Sequence, residues 1–96
     1  MEKLDILVVG GGGREHAVIK KLMESPKAGK IYAAPGNGGI ALDGAECFPV
    51  KATDIDGMVA LAEKLKPDLV VVTPDDPLGL GMADILEEKG FKVFGP

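Results

Sequence analysis

The chain contains one cysteine, one histidine and no tryptophan. A lone Cys47 cannot close a disulfide within the chain, and no second cysteine or histidine pair stands at metal-ligand spacing, which excludes a disulfide scaffold and a zinc finger alike. Cys47 therefore reads as a small apolar filler. Aromatic residues make up 4% of the chain, and 15 acidic against 11 basic residues give a formal charge of −4. With no lysine or arginine cluster and no aromatic platform on which bases could stack, nucleic acid is excluded as a partner. No apolar run approaches a membrane span and the N-terminus has no secretory hydrophobic region, so the expected setting is a soluble, cytoplasmic protein with no membrane partner. The 96 residues allow one domain with a modest core.

Glycine, by contrast, is concentrated. The apolar run Leu4-Asp5-Ile6-Leu7-Val8-Val9 ends in Gly10-Gly11-Gly12-Gly13, followed at once by the helical pattern that opens with Arg14-Glu15-His16-Ala17. A strand-to-helix turn needs one or two glycines for its backbone. Four in succession point to close approach by a ligand, and free N–H groups at a helix N-terminus favour an anion such as phosphate. The dinucleotide fingerprint G-x-G-x-x-G is not met: the third small residue is replaced by Glu15 or His16, depending on the frame. The ribose-binding acid is missing too, since the second strand closes with Lys30-Ile31-Tyr32-Ala33-Ala34-Pro35. A P-loop is excluded because no Gly-Lys-Ser/Thr follows the glycines. Sugar phosphate is thus a better ligand class than NAD(P). His16 reads as a first-turn helix residue hydrogen-bonded to the loop, since no catalytic partner stands near it in sequence.

The first helix carries Ala17, Val18, Ile19, Leu22 and Met23 on its apolar face and stops near Ser25-Pro26, where proline disfavours helix in the preceding residue. A second strand over 30–34 runs into Pro35-Gly36-Asn37-Gly38-Gly39, a second flexible loop. Residues 40–51 carry little signal; a short strand over 46–50 is confined to a sheet edge by Pro49. Thr53-Asp54-Ile55-Asp56 has the form of a capping box ahead of a helix with Ile55, Met58, Val59, Ala62 and Leu65 at helical spacing. The β-branched run Leu69-Val70-Val71-Val72-Thr73 reads as a central parallel strand. Pro74-Asp75-Asp76-Pro77 forms a third loop. A helix follows over about 78–89, with Met82, Ala83, Ile85 and Leu86 inward and Gly90 as its C-cap, and a last strand covers 91–94.

Alternating strands and helices specify an α/β fold: a three-layer Rossmann-like domain with a mainly parallel sheet of four to five strands and helices on both faces. Ligands of such sheets bind beyond the carboxyl ends of the strands. The loops at 10–14, 35–39 and 73–77 all fall on that rim, and their convergence is the argument for a site.

The blocks Gly10-Gly11-Gly12-Gly13-Arg14-Glu15-His16-Ala17, Pro35-Gly36-Asn37-Gly38-Gly39, Thr53-Asp54-Ile55 and Pro74-Asp75-Asp76-Pro77-Leu78, with Gly81, Asp84 and Phe94-Gly95-Pro96, resemble the N-terminal domain of phosphoribosylamine–glycine ligases of the ATP-grasp superfamily. The resemblance covers the whole chain and implies one pre-ATP-grasp, substrate-binding domain over 1–96. Enzymes of this family make purines by joining glycine to 5-phosphoribosylamine as ATP becomes ADP and phosphate: the glycine carboxylate is phosphorylated, then attacked by the ribosylamine nitrogen. ATP and its Mg²⁺ (or Mn²⁺) are implied to sit on ATP-grasp and C-terminal domains not present in this chain, leaving it without catalytic or metal-binding residues and inactive alone. The resemblance gives the chain one wall of the phosphoribosylamine and glycine site, built from Gly11, Gly12, Gly13, Arg14, Glu15, Pro35, Gly36, Asn37, Pro74, Asp75 and Asp76, and makes the rest of its own polypeptide its partner.

Within that wall Gly12 and Gly13 are expected to offer backbone N–H donors. Arg14 either pairs with the phosphate or staples the loops through Asp75 or Asp76. Asp75 either bonds a ribose hydroxyl or the amine, or forms an Asx-turn after Pro74. The family commonly reads Gly-Pro-Glu where this chain has Thr73-Pro74-Asp75, so the acid is one methylene shorter. The family sequence also continues past Phe-Gly-Pro, which implies a piece of a longer protein. Two other readings remain: a free-standing nucleotide- or sugar-phosphate-binding module, and the matching domain of another ATP-grasp enzyme such as a carboxylase subunit, which the Arg-Glu-His-Ala and Pro-Gly-Asn blocks disfavour.

Overall fold

The computed structural model describes residues 3–72 and 77–94. Strands and helices alternate as β1 (Leu4–Gly10), α1 (Gly13–Met23), β2 (Ala28–Pro35), α2 (Gly38–Leu42), β3 (Glu46–Cys47), α3 (Ile55–Leu65), β4 (Leu69–Val72), α4 (Pro77–Glu88) and β5 (Val93–Phe94). Among the described residues the strands form one sheet in the order β3-β2-β1-β4-β5, and every pairing is parallel. The chain winds outward from β1 in one direction through β2 and β3, then crosses back to wind outward through β4 and β5. The reversal falls between β1 and β4, the switch point at which α/β sheets open a crevice.

Alternate residues of β1 face opposite layers. Ile6 and Val8 join Ile31, Ala33 and Val71 beneath Ile19 of α1 and Ile40 of α2. Leu7 and Val9 join Tyr32, Val70 and Val72 beneath Met58 and Leu61 of α3 and Met82 and Leu86 of α4. Both faces of the central strands are covered, which is why their sequences are continuously apolar rather than alternating. The expected three-layer α/β architecture is therefore present, with five strands.

Local details differ from the sequence reading in several places, β5 among them, which is confined to Val93–Phe94. Ala17 of α1 is exposed, and Ala83 and Ile85 of α4 are only half-buried; the buried stripes there are narrower because single residues, Ile19 in α1 and Met82 with Leu86 in α4, reach the sheet. The cap of α3 is Asp54 rather than Thr53: its carboxylate accepts from the Gly57 amide at 2.9 Å. Strand β2 begins two residues early, at Ala28, because it follows β1 along its length. Finally, β3 is cut to two residues at the edge of the sheet, and a helical turn, α2, occupies 38–42, a stretch with little periodic signal.

Candidate functional site

The carboxyl ends of β1 and β2 stop side by side, Gly10 opposite Pro35. Beyond them the first two loops touch. The Gly36 amide donates to the Gly10 carbonyl at 3.1 Å, and the Asn37 side-chain Nδ2 donates to the Gly11 carbonyl at 2.7 Å. Asn37 also caps α2, its Oδ1 accepting from the Ile40 amide at 2.9 Å. One amide side chain thus caps the start of a helix and braces the glycine turn, which fixes the distance between the loops. The peptide bond between Ala34 and Pro35 is cis.

The four glycines separate into two pairs. Gly10 has φ of 130°, and an added Cβ there would lie 2.4 Å from Glu15 Oε1. At Gly11 the same atom would lie 2.5 Å from the Gly36 carbonyl oxygen, a backbone atom that cannot step aside. These two glycines are demanded by the fold. Gly12 has extended backbone, φ −91° and ψ −177°, that any residue adopts, and a Cβ there would meet only Glu15 Oε1, at 3.4 Å. A Cβ at Gly13 would have nothing within 4 Å. Nothing in the described fold requires Gly12 or Gly13 to be glycine. Both are exposed at the N-terminus of α1, where first-turn amides lack acceptors within the helix and the aligned peptide dipoles favour negative charge.

The Gly12 amide does not face outward as the sequence suggests: it donates to Glu15 Oε1 at 3.0 Å. Glu15 folds back under the turn in the manner of a capping box, and its Cγ and Cδ fill the space a Gly10 side chain would need. It shapes the loop from within. Arg14 stands exposed in the first turn of α1. His16, one residue after Glu15, pairs through Nε2 with Asp43 Oδ2, a carboxylate at the C-cap of α2 rather than a group in either loop.

Gly36 has φ of 68°, and a Cβ on it would lie 2.4 Å from Cys47 Sγ. Cys47 is half-buried against the α1 and α2 layer, consistent with the filler role. The third loop, with Pro74, Asp75 and Asp76, lies outside the described residues; Val72, which leads into it, pairs with Val9 beside the glycine turn. The structure thus brings together Gly11, Gly36 and Asn37 by direct contact, with Gly12, Gly13, Arg14, Glu15 and Pro35 around them. A separate cleft of about 400 Å³ lies along the early part of β2, lined by Met23, Lys30, Tyr32, Asp43 and Glu46 among others, and none of the candidate residues borders it. No group of three or more His, Cys, Asp or Glu among the described residues is arranged to hold a metal ion. No described helix is long and apolar enough to cross a membrane.

Sequence reasoning had no means of finding the brace made by Asn37, the inward turn of Glu15 or the His16–Asp43 pair. The brace and the pair join residues that only the parallel β1–β2 crossover brings into contact, while the turn of Glu15 is a local contact three residues back, to the Gly12 amide.

Comparison with known proteins identifies the relatives of the chain. The family described as phosphoribosylglycinamide synthetase, N domain, matches residues 4–96. The phosphoribosylamine–glycine ligase of Caulobacter vibrioides is 55% identical over 95 residues, covering 99% of this chain and 22% of that protein. The ligases of Listeria monocytogenes serotype 4b and Haemophilus influenzae are 46% and 44% identical, each over 97% of this chain and 22% of their own length. The chain spans 22% of the length of these curated relatives.

Proposed function

The chain belongs to the phosphoribosylglycinamide synthetase N-domain family, and on that premise we propose that it forms one wall of the phosphoribosylamine and glycine site of a phosphoribosylamine–glycine ligase. The observation that carries the reading is the second glycine pair: Gly12 and Gly13 lie at the N-terminus of α1 without a conformational or steric need for glycine. A missing Cβ that the fold does not require leaves room for a ligand to approach the backbone. The ligand that suits the place is the phosphate of phosphoribosylamine, held by first-turn amides of α1 while Asn37 and Glu15 keep the turn in shape. That the relatives are ligases favours this reading over a free-standing binding module.

The rest of the reaction belongs to a longer polypeptide. ATP, with magnesium or manganese on ATP-grasp and C-terminal domains, supplies the activation of the glycine carboxylate. This chain's residues bind and orient the ribosylamine on which the activated carboxylate closes. Arg14 pairs with the phosphate, and Asp75 holds a ribose hydroxyl or the amine. The enzyme works in the cytoplasm, in purine synthesis.

The test is ADP release by the longer polypeptide. It is expected to depend on both glycine and phosphoribosylamine, while the 96-residue chain alone releases none. Gly12→Val is expected to raise KM for phosphoribosylamine with kcat little changed, the signature of lost substrate binding rather than lost chemistry. Asp75→Asn is expected to lower kcat/KM about tenfold. ADP release by the longer polypeptide that ignores either substrate contradicts the proposal.

A further inference from the structure

Resting on the ligase reading, we infer that His16 is a positioning residue for the substrate rim: it seats α2, and through α2 it sets the Asn37 side chain that braces the glycine turn. Helix α2 has five residues, far too few to hold a helical conformation unaided. Its one buried side chain, Ile40, anchors it to the sheet layer at a single point. Beyond Ile40 and the Asn37 bond to Gly11 at its start, two contacts, both from His16, oppose a swivel of α2. Near the start of α2 the imidazole lies over Gly39, so close that a Cβ on Gly39 would come 2.9 Å from Cε1. At the end of α2 the ring's Nε2 pairs with Asp43.

What α2 carries is its cap. Asn37 Oδ1 accepts from the Ile40 amide at 2.9 Å and Asn37 Nδ2 donates to the Gly11 carbonyl at 2.7 Å. A swivel of α2 therefore moves the donor that sets the carbonyl just ahead of Gly12 and Gly13. His16 lies in α1, the helix whose N-terminus those glycines open, so the contacts close a ring from α1 through α2 and Asn37 back to the turn. The pair itself is a weak staple for the fold as a whole, because its side chains are 27% and 32% exposed and water screens their attraction. Its effect is on where the rim sits.

The experiment uses the longer polypeptide that contains this chain. His16→Ala is expected to raise KM for phosphoribosylamine about tenfold with kcat within about twofold of wild type. His16→Gln places an amide Nε2 near where the ring Nε2 stood and is expected to recover most of the loss. Asp43→Ala removes one of the two contacts and shows the same kind of effect from the exposed partner, carries the test if His16→Ala does not fold, and combined with His16→Ala is no worse than His16→Ala alone. Asp54→Ala removes the cap of α3 on the opposite face of the sheet and serves as the control for general loosening.

Unchanged KM in both His16→Ala and Asp43→Ala, or an equal rise in Asp54→Ala, overturns the inference. Calorimetric titration of ribose 5-phosphate into the same proteins keeps the two readings apart. A wild type that makes no ADP but binds ribose 5-phosphate, with binding lost in both pair variants, contradicts the ligase reading and sustains the positioning role. A wild type that does neither overturns both.

Discussion

Gly10 and Gly11 stand next to Gly12 and Gly13 in sequence and differ from them in what a methyl group would meet. At the first pair it would strike Glu15 and the Gly36 carbonyl at 2.4 and 2.5 Å; at the second it would touch only Glu15 Oε1 at 3.4 Å, or nothing within 4 Å. Four identical residues thus divide by cause. The first two let the chain turn sharply out of β1 and lie against the neighbouring loop. The last two are free of that duty; Gly12, as the N-cap of α1, sits where glycine is tolerated, and the missing Cβ at both positions leaves room for a ligand. A glycine-rich loop is therefore not evidence for binding as a whole, but position by position.

The largest effect that tests this division belongs to Gly11. Gly11→Ala is expected to destabilise the fold by about 3 kcal/mol, because the clash is with backbone and two strand ends must part to relieve it. In a domain of this size that lowers Tm by roughly 12–24 °C. Gly10→Ala should fall somewhat short of it, about 2 kcal/mol, since Glu15 is a flexible side chain and only the positive φ is unavoidable. Thermal unfolding of the two variants checks both figures; near-wild-type melting of Gly11→Ala erases the distinction between the pairs.

Next comes the brace between the loops. Asn37→Ala removes the α2 cap and the bond to Gly11 together and is expected to cost about 1–2 kcal/mol. Asn37→Asp keeps an acceptor for the Ile40 amide but has no donor for the Gly11 carbonyl, so it should retain most of the stability and lose ligand affinity. A denaturant midpoint and a binding isotherm on each variant separate cap from brace. The smallest effect lies far from the rim and has the opposite sign. Lys66 ends α3 in the left-handed region at φ 51°, so Lys66→Gly is expected to stabilise the fold by about 1 kcal/mol without changing affinity. An affinity change there shows that stability and binding are not separable in this domain.

The sequence made the layers and the rim legible because their signals are local or periodic. The apolar runs of β1 and β4 and the helical spacing of α3 declare themselves, and parallel winding then puts the first loops on one edge. Helix α2 carried no such signal: two of its five residues are glycine and only Ile40 is buried, so no periodicity forms. The two-residue β3 is recognised by its partner, Tyr32 and Ala33 of β2, rather than by its own composition. Asp54 takes the cap in place of Thr53 because a shift of one residue decides whether the Thr53 hydroxyl or the Asp54 carboxylate reaches a first-turn amide, and it is the Asp54 carboxylate that meets the Gly57 amide. Within the site, the glycines were visible but their division was not. It depends on Gly36 and Glu15, and only the folded chain brings Gly36 against Gly11.

The reason for the second glycine pair is tested most directly by Gly13→Val, measured for melting temperature and for ribose 5-phosphate affinity on the same protein. Melting within a few degrees of wild type is expected, a change of about 0.5 kcal/mol or less for an unobstructed surface position. Ribose 5-phosphate affinity should fall tenfold or more, about 1.4 kcal/mol. Unchanged affinity, or a fall in melting temperature as large as that of Gly11→Ala, would contradict the claim that the second pair of glycines is there for the ligand.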